Sequence, residues 1–349
     1  MNNDKNISDG SNEVPLQGLG VNSPLGVRGK VLICPLNWGL GHATRCVPII
    51  RKLMSDGHEP VVLADGFPLA FLQQEFPSLR FIEFPSYAVY YAAGKSQVGA
   101  MLFNFPNIIT GIIREHFWLR DLLQSEHFDQ AISDNRFGMW NKCVHSIYIT
   151  HQLMIKMPHG LKILEPLVHR IHKAFINRYD ECWIPDTEED GGLSGDLAHQ
   201  NPLPANATFI GVLSRFQNME NRQPNSEFDV VAVISGVEPQ RTIFEEALIR
   251  KYKNSAEKIL IVCGQPQTGK NERKLGNISL VAHLPDAEMV AVLLGAKKII
   301  CRSGYSSIMD LEALKCLHKA ELVPTPGQTE QEYLGSIYSK KIAEKFLSD

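Results

Sequence analysis

The residues best suited to chemistry lie between Arg302 and Glu332. Arg302-Ser303-Gly304-Tyr305-Ser306-Ser307 is a small-residue turn that follows the apolar run Lys298-Ile299-Ile300-Cys301 and leads into the helix-compatible Ile308-Met309-Asp310-Leu311-Glu312-Ala313-Leu314. A strand that feeds a tight turn and then a helix presents free backbone N–H groups and the positive end of a helix dipole, which suits phosphate. Pro324-Thr325-Pro326-Gly327 then makes a rigid turn into Gln328-Thr329-Glu330-Gln331-Glu332, a cluster of acid and amide groups able to bind several hydroxyls at once. Phosphate at one end and a polyol at the other describe a nucleotide sugar. Each residue also has a plainer reading: serines at a helix start act as N-caps, Asp310 fits a helix surface, and Glu330 and Gln331 fit a solvated first turn.

A second cluster lies near the start of the chain. Pro35-Leu36-Asn37-Trp38-Gly39-Leu40-Gly41-His42 follows an apolar run and enters a helical pattern through Val47, Ile49, Ile50 and Leu53. Gly39 and Gly41 permit positive φ and close approach of a substrate, and His42 sits at the helix start with a side chain that exchanges protons near neutral pH. A group transfer to a hydroxyl needs one residue to take the hydroxyl proton and N–H or cationic groups to stabilise the leaving group. His42 is the first candidate for the base. Asp134, in Ser133-Asp134-Asn135-Arg136, is its rival, and His151, in Thr150-His151-Gln152, is placed to orient the acceptor. All three also fit capping or turn roles. No Asp-x-Asp occurs in the chain, so the paired carboxylates that hold a divalent cation in other transferases are missing and no metal or other cofactor is expected.

These residues need a scaffold, and the pattern around them supplies one. From Lys30 short β-rich runs alternate with longer helical patterns, as in strand–helix–strand units on a parallel sheet. The expected strands of a first series are 30–35, 60–64, 80–84, 130–133, 146–150 and 181–184. A polar stretch without hydrophobic period, 217–226, separates them from a second series at 230–235, 258–263, 278–282, 298–301 and 320–323. At 349 residues the chain is comfortable for two domains of roughly 150 residues each. The expectation is an α/β protein with a flexible tail over residues 1–28, an N-terminal Rossmann-like domain over 29–216 and a C-terminal one over 217–349. Two doubly wound parallel sheets would face each other across a cleft, with the carboxyl ends of their strands at the ligand.

Composition narrows the field. With 35 basic against 38 acidic residues there is no overall field to attract nucleic acid. Seven cysteines without a C-x-x-C pair suit neither a disulfide framework nor a zinc site, which points to a reducing cytoplasm. The first 28 residues lack the basic start and apolar core of a secretion signal, and no window reaches about 18 apolar residues.

Together the motifs resemble the family-28 type of glycosyltransferase, the group containing the peptidoglycan enzyme that adds N-acetylglucosamine to a lipid-linked precursor. The similarity covers about residues 280–334 and, less closely, 30–50. It implies the two-domain GT-B fold and a nucleoside-diphosphate sugar as donor, most readily a UDP-sugar. By this resemblance Ser303, Gly304, Ser306 and Ser307 match the turn holding the diphosphate, Asp310 an acid binding the ribose, and Glu330 with Gln331 the pair reading the donor sugar. Arg215 resembles an interdomain arginine facing the diphosphate. Ser235 and Gly236 resemble the turn opening the second domain, and His283 with Leu284 the pair whose backbone meets the base. Two points depart from the pattern: Ser235-Gly236-Val237-Glu238 lacks extra glycines, and Asp310 is one methylene shorter than the usual Glu.

The resemblance implies an inverting, metal-independent transfer of a hexose or N-acetylhexosamine to a lipid-linked or glycan acceptor, as in building a cell-envelope polysaccharide. Two segments have the character to meet a lipid or a membrane surface. Residues 97–113 are apolar and interrupted by Pro106. Residues 162–178 carry Ile163, Leu164, Leu167, Val168, Ile171 and Phe175 at helical spacing with Lys162, Arg170, Lys173 and Arg178 between them. A core-facing helix with a basic outer face gives the same pattern. A nucleotide-sugar 2-epimerase and a non-catalytic nucleotide-sugar-binding subunit remain open on the same motifs.

Overall fold

The computed structural model describes residues 29–85, 97–266 and 272–348. The tail expected over 1–28 lies outside them.

The first half folds as strand–helix alternation: β1 (Lys30–Pro35), α1 (Leu40–Ser55), β2 (Glu59–Ala64), α2 (Gly66–Glu75), β3 (Arg80–Glu83), α3 (Gln97–Ser125), β4 (Gln130–Asp134), β5 (His145–Ile149), α4 (Glu165–Ile176), β6 (Glu181–Ile184), the short α5 (Asp196–His199) and β7 (Ala207–Phe209). Its seven strands run parallel in the order β3-β2-β1-β4-β5-β6-β7. Central strands of such a sheet are covered on both faces, so β1 reads Lys-Val-Leu-Ile-Cys-Pro without alternation and buries all but its first residue.

The second half adds β8 (Val230–Val233), α6 (Gln240–Tyr252), β9 (Ile259–Val262), β10 (Glu272–Leu275), β11 (Ile278–Val281), α7 (Asp286–Gly295), β12 (Lys298–Arg302), α8 (Tyr305–Ala313), β13 (Ala320–Val323) and α9 (Thr329–Ser348). The sheet order is β10-β11-β9-β8-β12-β13. All pairs are parallel except β10 with β11. Every strand expected from the sequence is present. Two were missed: β7 is three residues long, too short to show a period, and β10 is a fully exposed Glu-Arg-Lys-Leu edge, where charge rather than hydrophobicity protects the open ladder.

Two helices differ from expectation. Pro106 does not interrupt α3, which runs on through it. Proline removes only its own N–H from the ladder, while the helix farther on packs Leu119 and, around it, Trp118, Leu122 and Leu123 onto the sheet. In α4 the buried residues are His172 and Ile176, whereas Ile163 just before the helix and Leu167 and Ile171 within it are 88, 56 and 50% exposed. The core-facing reading of that apolar stripe is therefore wrong for these three side chains. Among the described residues no helix is long and apolar enough to cross a membrane.

The halves are not merely tethered. One continuous buried cluster includes Val47 and Ile50 of α1, Phe71 of α2, Leu213 and Phe216 of the connector, and Met289, Ile308 and Leu334 from the second half. The last helix returns to the first: Tyr333 accepts the Asp196 N–H at 2.6 Å and Tyr338 donates to the Leu193 carbonyl at 2.9 Å.

Candidate functional site at the seam between the sheets

The carboxyl ends of the strands in both sheets meet at one seam. Gly39 after β1 has φ +104° and Gly236 after β8 has φ +107°, conformations that exclude a side chain at little cost only for glycine. The two approach so closely that a Cβ on Gly39 would lie 3.7 Å from the Gly236 Cα. Beside them the N-termini of α1 and α8 converge: Ser306 Oγ donates to the Gly41 carbonyl at 3.0 Å, and a Cβ on Gly41 would come within 2.9 Å of that same oxygen. Two positive helix ends and two Gly turns therefore share one place.

On the first-half side, α1 sets His42 and Arg45 on one face, three residues apart, and the adjacency of β1 and β4 brings Asp134 beneath them. His42 Nδ1 lies 2.9 Å from Asp134 Oδ1. The buried Arg45 guanidinium grips both Asp134 oxygens, comes within 2.9 Å of His42 Nδ1 and reaches His151 Nδ1 at 3.2 Å. Burial would raise the Asp134 carboxyl, but Arg45 and then His42 hold it down at about 2. The carboxylate is therefore charged at every working pH.

His151, after β5, extends the network across the seam. Its ring lies flat on Tyr305 of α8, centroids 4.1 Å apart and planes 4° apart, and its Nε2 is 2.9 Å from Glu330 Oε1. Gln152 donates to the other Glu330 oxygen. Burial lowers the His151 proton affinity. Burial alone would raise Glu330, yet the imidazole beside it more than offsets this and keeps the carboxyl below its usual range. The contact thus joins the imidazole to a carboxylate across the seam.

The remaining sequence candidates fall into two groups. Around the seam lie Gly39, Gly41, His42, Asp134, His151, Ser235, Gly236, Gly304, Ser306, Ser307 and Glu330, all at strand ends or helix starts. The others already serve the framework. Ser303, fully buried, donates to the Gln331 carbonyl at 2.7 Å, and the Gln331 side chain turns back to accept the Thr325 N–H at 2.8 Å. Glu330 and Gln331 therefore point different ways, as residues one step apart on a helix must. Arg215 binds Asp286 at 2.8 Å and stacks on Phe216 and Phe71. His283 meets the Phe71 edge at 5.8 Å, and burial, helped by Arg215, lowers it to about 4; Leu284 packs against the shared core. Asp310 accepts the Ser214 hydroxyl at 2.6 Å, and burial raises its carboxyl to about 6.

Arg45 and Gln152 escaped the sequence reading. The i, i+3 spacing of His42 and Arg45 was the available signal for the first; an arginine in the second turn of a helix otherwise reads as solvated. At the start of α9 a cavity of about 740 Å³ opens between Lys156, Met157, Pro158, Lys162 and Glu165 on one side and Pro326, Thr329, Glu332 and Tyr333 on the other.

No protein-family model matches the chain, and no curated protein matches its sequence. Solved structures do match in fold. The glycotransferase of kitacinnamycin aligns at TM-score 0.54 and 14% identity, covering 91% of this chain and 94% of that one. CalG4, the calicheamicin glycosyltransferase, aligns at 0.51 and 10% over 92% and 94%. Phytolacca americana UGT2, complexed with UDP-2-fluoro-glucose and pterostilbene, aligns at 0.51 and 13% over 90% and 84%. At such identities the likeness concerns architecture: the chain has the GT-B fold.

Proposed function

We propose that the chain is an inverting, metal-independent glycosyltransferase that moves a hexose or N-acetylhexosamine from a UDP-sugar to a lipid-linked or glycan acceptor. The observation that carries this reading is the 2.9 Å contact of His42 with the buried Asp134, at the seam where two helix N-termini and two Gly turns converge. In this scheme the acceptor hydroxyl gives its proton to His42 Nε2 while its oxygen bonds to the anomeric carbon of the donor. Asp134 accepts from Nδ1–H, orients the ring and stabilises the imidazolium that forms. The bond from the anomeric carbon to the diphosphate breaks, and its electron pair leaves on the phosphate oxygen. Backbone N–H groups at the start of α8 and the turns at Gly39 and Gly236 face that charge. Asp134, the rival base of the sequence reading, becomes the partner of His42 instead.

Glu330 is the group we assign to the donor sugar, with His151 and Gln152 holding its carboxylate in place between ligands. Gly304, Ser306 and Ser307 are assigned to the nucleotide end, and Ser303, Asp310 and Arg215, held by Gln331, Ser214 and Asp286, support that turn from behind. The family-28 resemblance supports these roles, and the GT-B architecture supports a donor bound between the sheets. For the acceptor, the cavity of about 740 Å³ at the start of α9 is lined by the basic Lys162, whose chain neighbour Ile163 is exposed. That combination favours a lipid-linked acceptor, with the chain resting on the cytoplasmic face of a membrane.

The test supplies UDP-glucose, UDP-galactose and UDP-N-acetylglucosamine with a lipid extract as acceptor source, and follows UDP release and labelled lipid. His42→Ala should cut transfer by about 100-fold or more while UDP binding, measured calorimetrically, persists. Sugar epimerised without any acceptor would replace this reading with a 2-epimerase. Donor binding with no reaction until a second protein is added would replace it with a non-catalytic subunit.

A further inference from the structure

We infer that Arg45 is a positioning residue: it fixes which ring nitrogen of His151 carries the hydrogen, it competes with Asp134 for His42 Nδ1, and it balances the Asp134 charge. The inference rests on reading His42 as the base. Arg45 is 2% exposed and lies at the centre of the network, in contact with Asp134, His42 and His151 at once. A guanidinium can only donate hydrogen bonds. Its contact at 3.2 Å therefore requires a lone pair on His151 Nδ1, leaving the hydrogen on Nε2, where it meets Glu330 at 2.9 Å.

At His42 the same logic yields two states. Nδ1 lies 2.9 Å from both a donor, Arg45 Nη2, and an acceptor, Asp134 Oδ1. One nitrogen cannot serve both together. With the hydrogen on Nδ1 and directed to Asp134, Nε2 is free to take a proton; with Nδ1 accepting from Arg45, Nε2 is blocked. An unopposed buried carboxylate would pull a second proton onto the ring and spend the base before an acceptor arrived. Because Arg45 occupies both Asp134 oxygens, the carboxylate that orients His42 is already paired with a cation. The other titratable groups around the ring are His151, after β5, Glu330, on α9, and the Cys46 thiol, 3.9 Å from Asp134 Oδ2. Arg45 is the cation that balances the Asp134 carboxylate.

The primary readout needs no substrate. With histidine labelled at nitrogen-15, long-range proton–nitrogen spectra report tautomer and protonation ring by ring across a pH titration. The wild-type protein should show His151 with its hydrogen on Nε2; the Nδ1–H form would overturn the inference. Arg45→Met should raise the pH at which His42 becomes imidazolium by about one unit or more. Arg45→Lys, which keeps a charge but not the fork, should shift it upward by less. If Arg45→Met fails to fold, Arg45→Lys and the wild-type tautomer still decide. A His42 titration that stays in place or moves down in a folded variant would sink the idea. The acid limb of UDP-glucose hydrolysis should move with the spectra. Spectra that behave as expected in a protein that never transfers or hydrolyses sugar would count against the enzyme reading and leave the coupling standing.

Discussion

Ser306 and Gly41 join the two halves directly: the serine hydroxyl on α8 donates to the glycine carbonyl on α1 at 3.0 Å, with no room between them for a methyl group. Gly41→Ala must push Ser306 aside and break that bond, worth about 1 kcal/mol. We expect a lower melting temperature and weaker UDP binding. In a Ser306→Ala background the second substitution should cost clearly less, and a double-mutant cycle by urea unfolding measures the difference. Strict additivity would show that the contact does not couple the sheets.

Asp310 gives a signed dependence on pH. Burial raises its carboxyl to about 6, above an unfolded value of about 4. Below about pH 4 both states carry the proton and this residue costs nothing. Between about 4 and 6 the unfolded chain releases it first, and above that range the fold must keep a carboxylate buried, a loss of about 3 kcal/mol. Asp310→Asn, which can still accept from Ser214, should therefore be more stable than the wild type at pH 8 and indistinguishable at pH 4, by urea midpoints.

The exposed apolar stripe predicts an effect on partition rather than on folding. Replacing Ile163, Leu167 and Ile171 together by serine removes side chains that are at least half exposed. Melting temperature should hardly change. Co-sedimentation with vesicles containing anionic lipid should fall several-fold, because apolar insertion and attraction to Lys162, Arg170 and Lys173 act together. Unchanged sedimentation would place the membrane contact elsewhere or nowhere.

Glu330 offers a test of the donor assignment. Glu330→Gln keeps the shape of the side chain but loses the charge held by His151 and Gln152. Thermal shifts with UDP should stay near those of the wild type, whereas the additional shift given by a UDP-sugar should shrink. Equal loss of both would assign Glu330 to the diphosphate instead.

The sequence disclosed the sheets readily, because parallel strands covered on both faces must be apolar throughout, as in Val31–Cys34 or Ile299–Cys301. It located His42, Asp134 and His151 because each follows or ends such a run. It could not disclose that they touch. That depends on β4 lying next to β1 and β5 next to β4, an order that local patterns do not encode. Arg45 was hidden for the same reason: only the neighbouring strand supplies the carboxylate that lets an arginine lie buried. Gln331 was paired with Glu330 by proximity in sequence, yet the helical rotation between neighbours sends one toward the seam and the other back to Thr325.

The return of α9 has a consequence for biosynthesis. The loop between Asp186 and His199 winds around the buried Asp186, which accepts N–H groups from Thr187, Leu193 and Ser194, and it is completed on its outer side by Tyr333 and Tyr338. Those tyrosines leave the ribosome only after both sheets have been made. The amino-terminal lobe, although made first, thus waits for α9 before its surface is sealed, and a nascent chain halted anywhere short of Tyr338 exposes an unfinished lobe to chaperones and proteases.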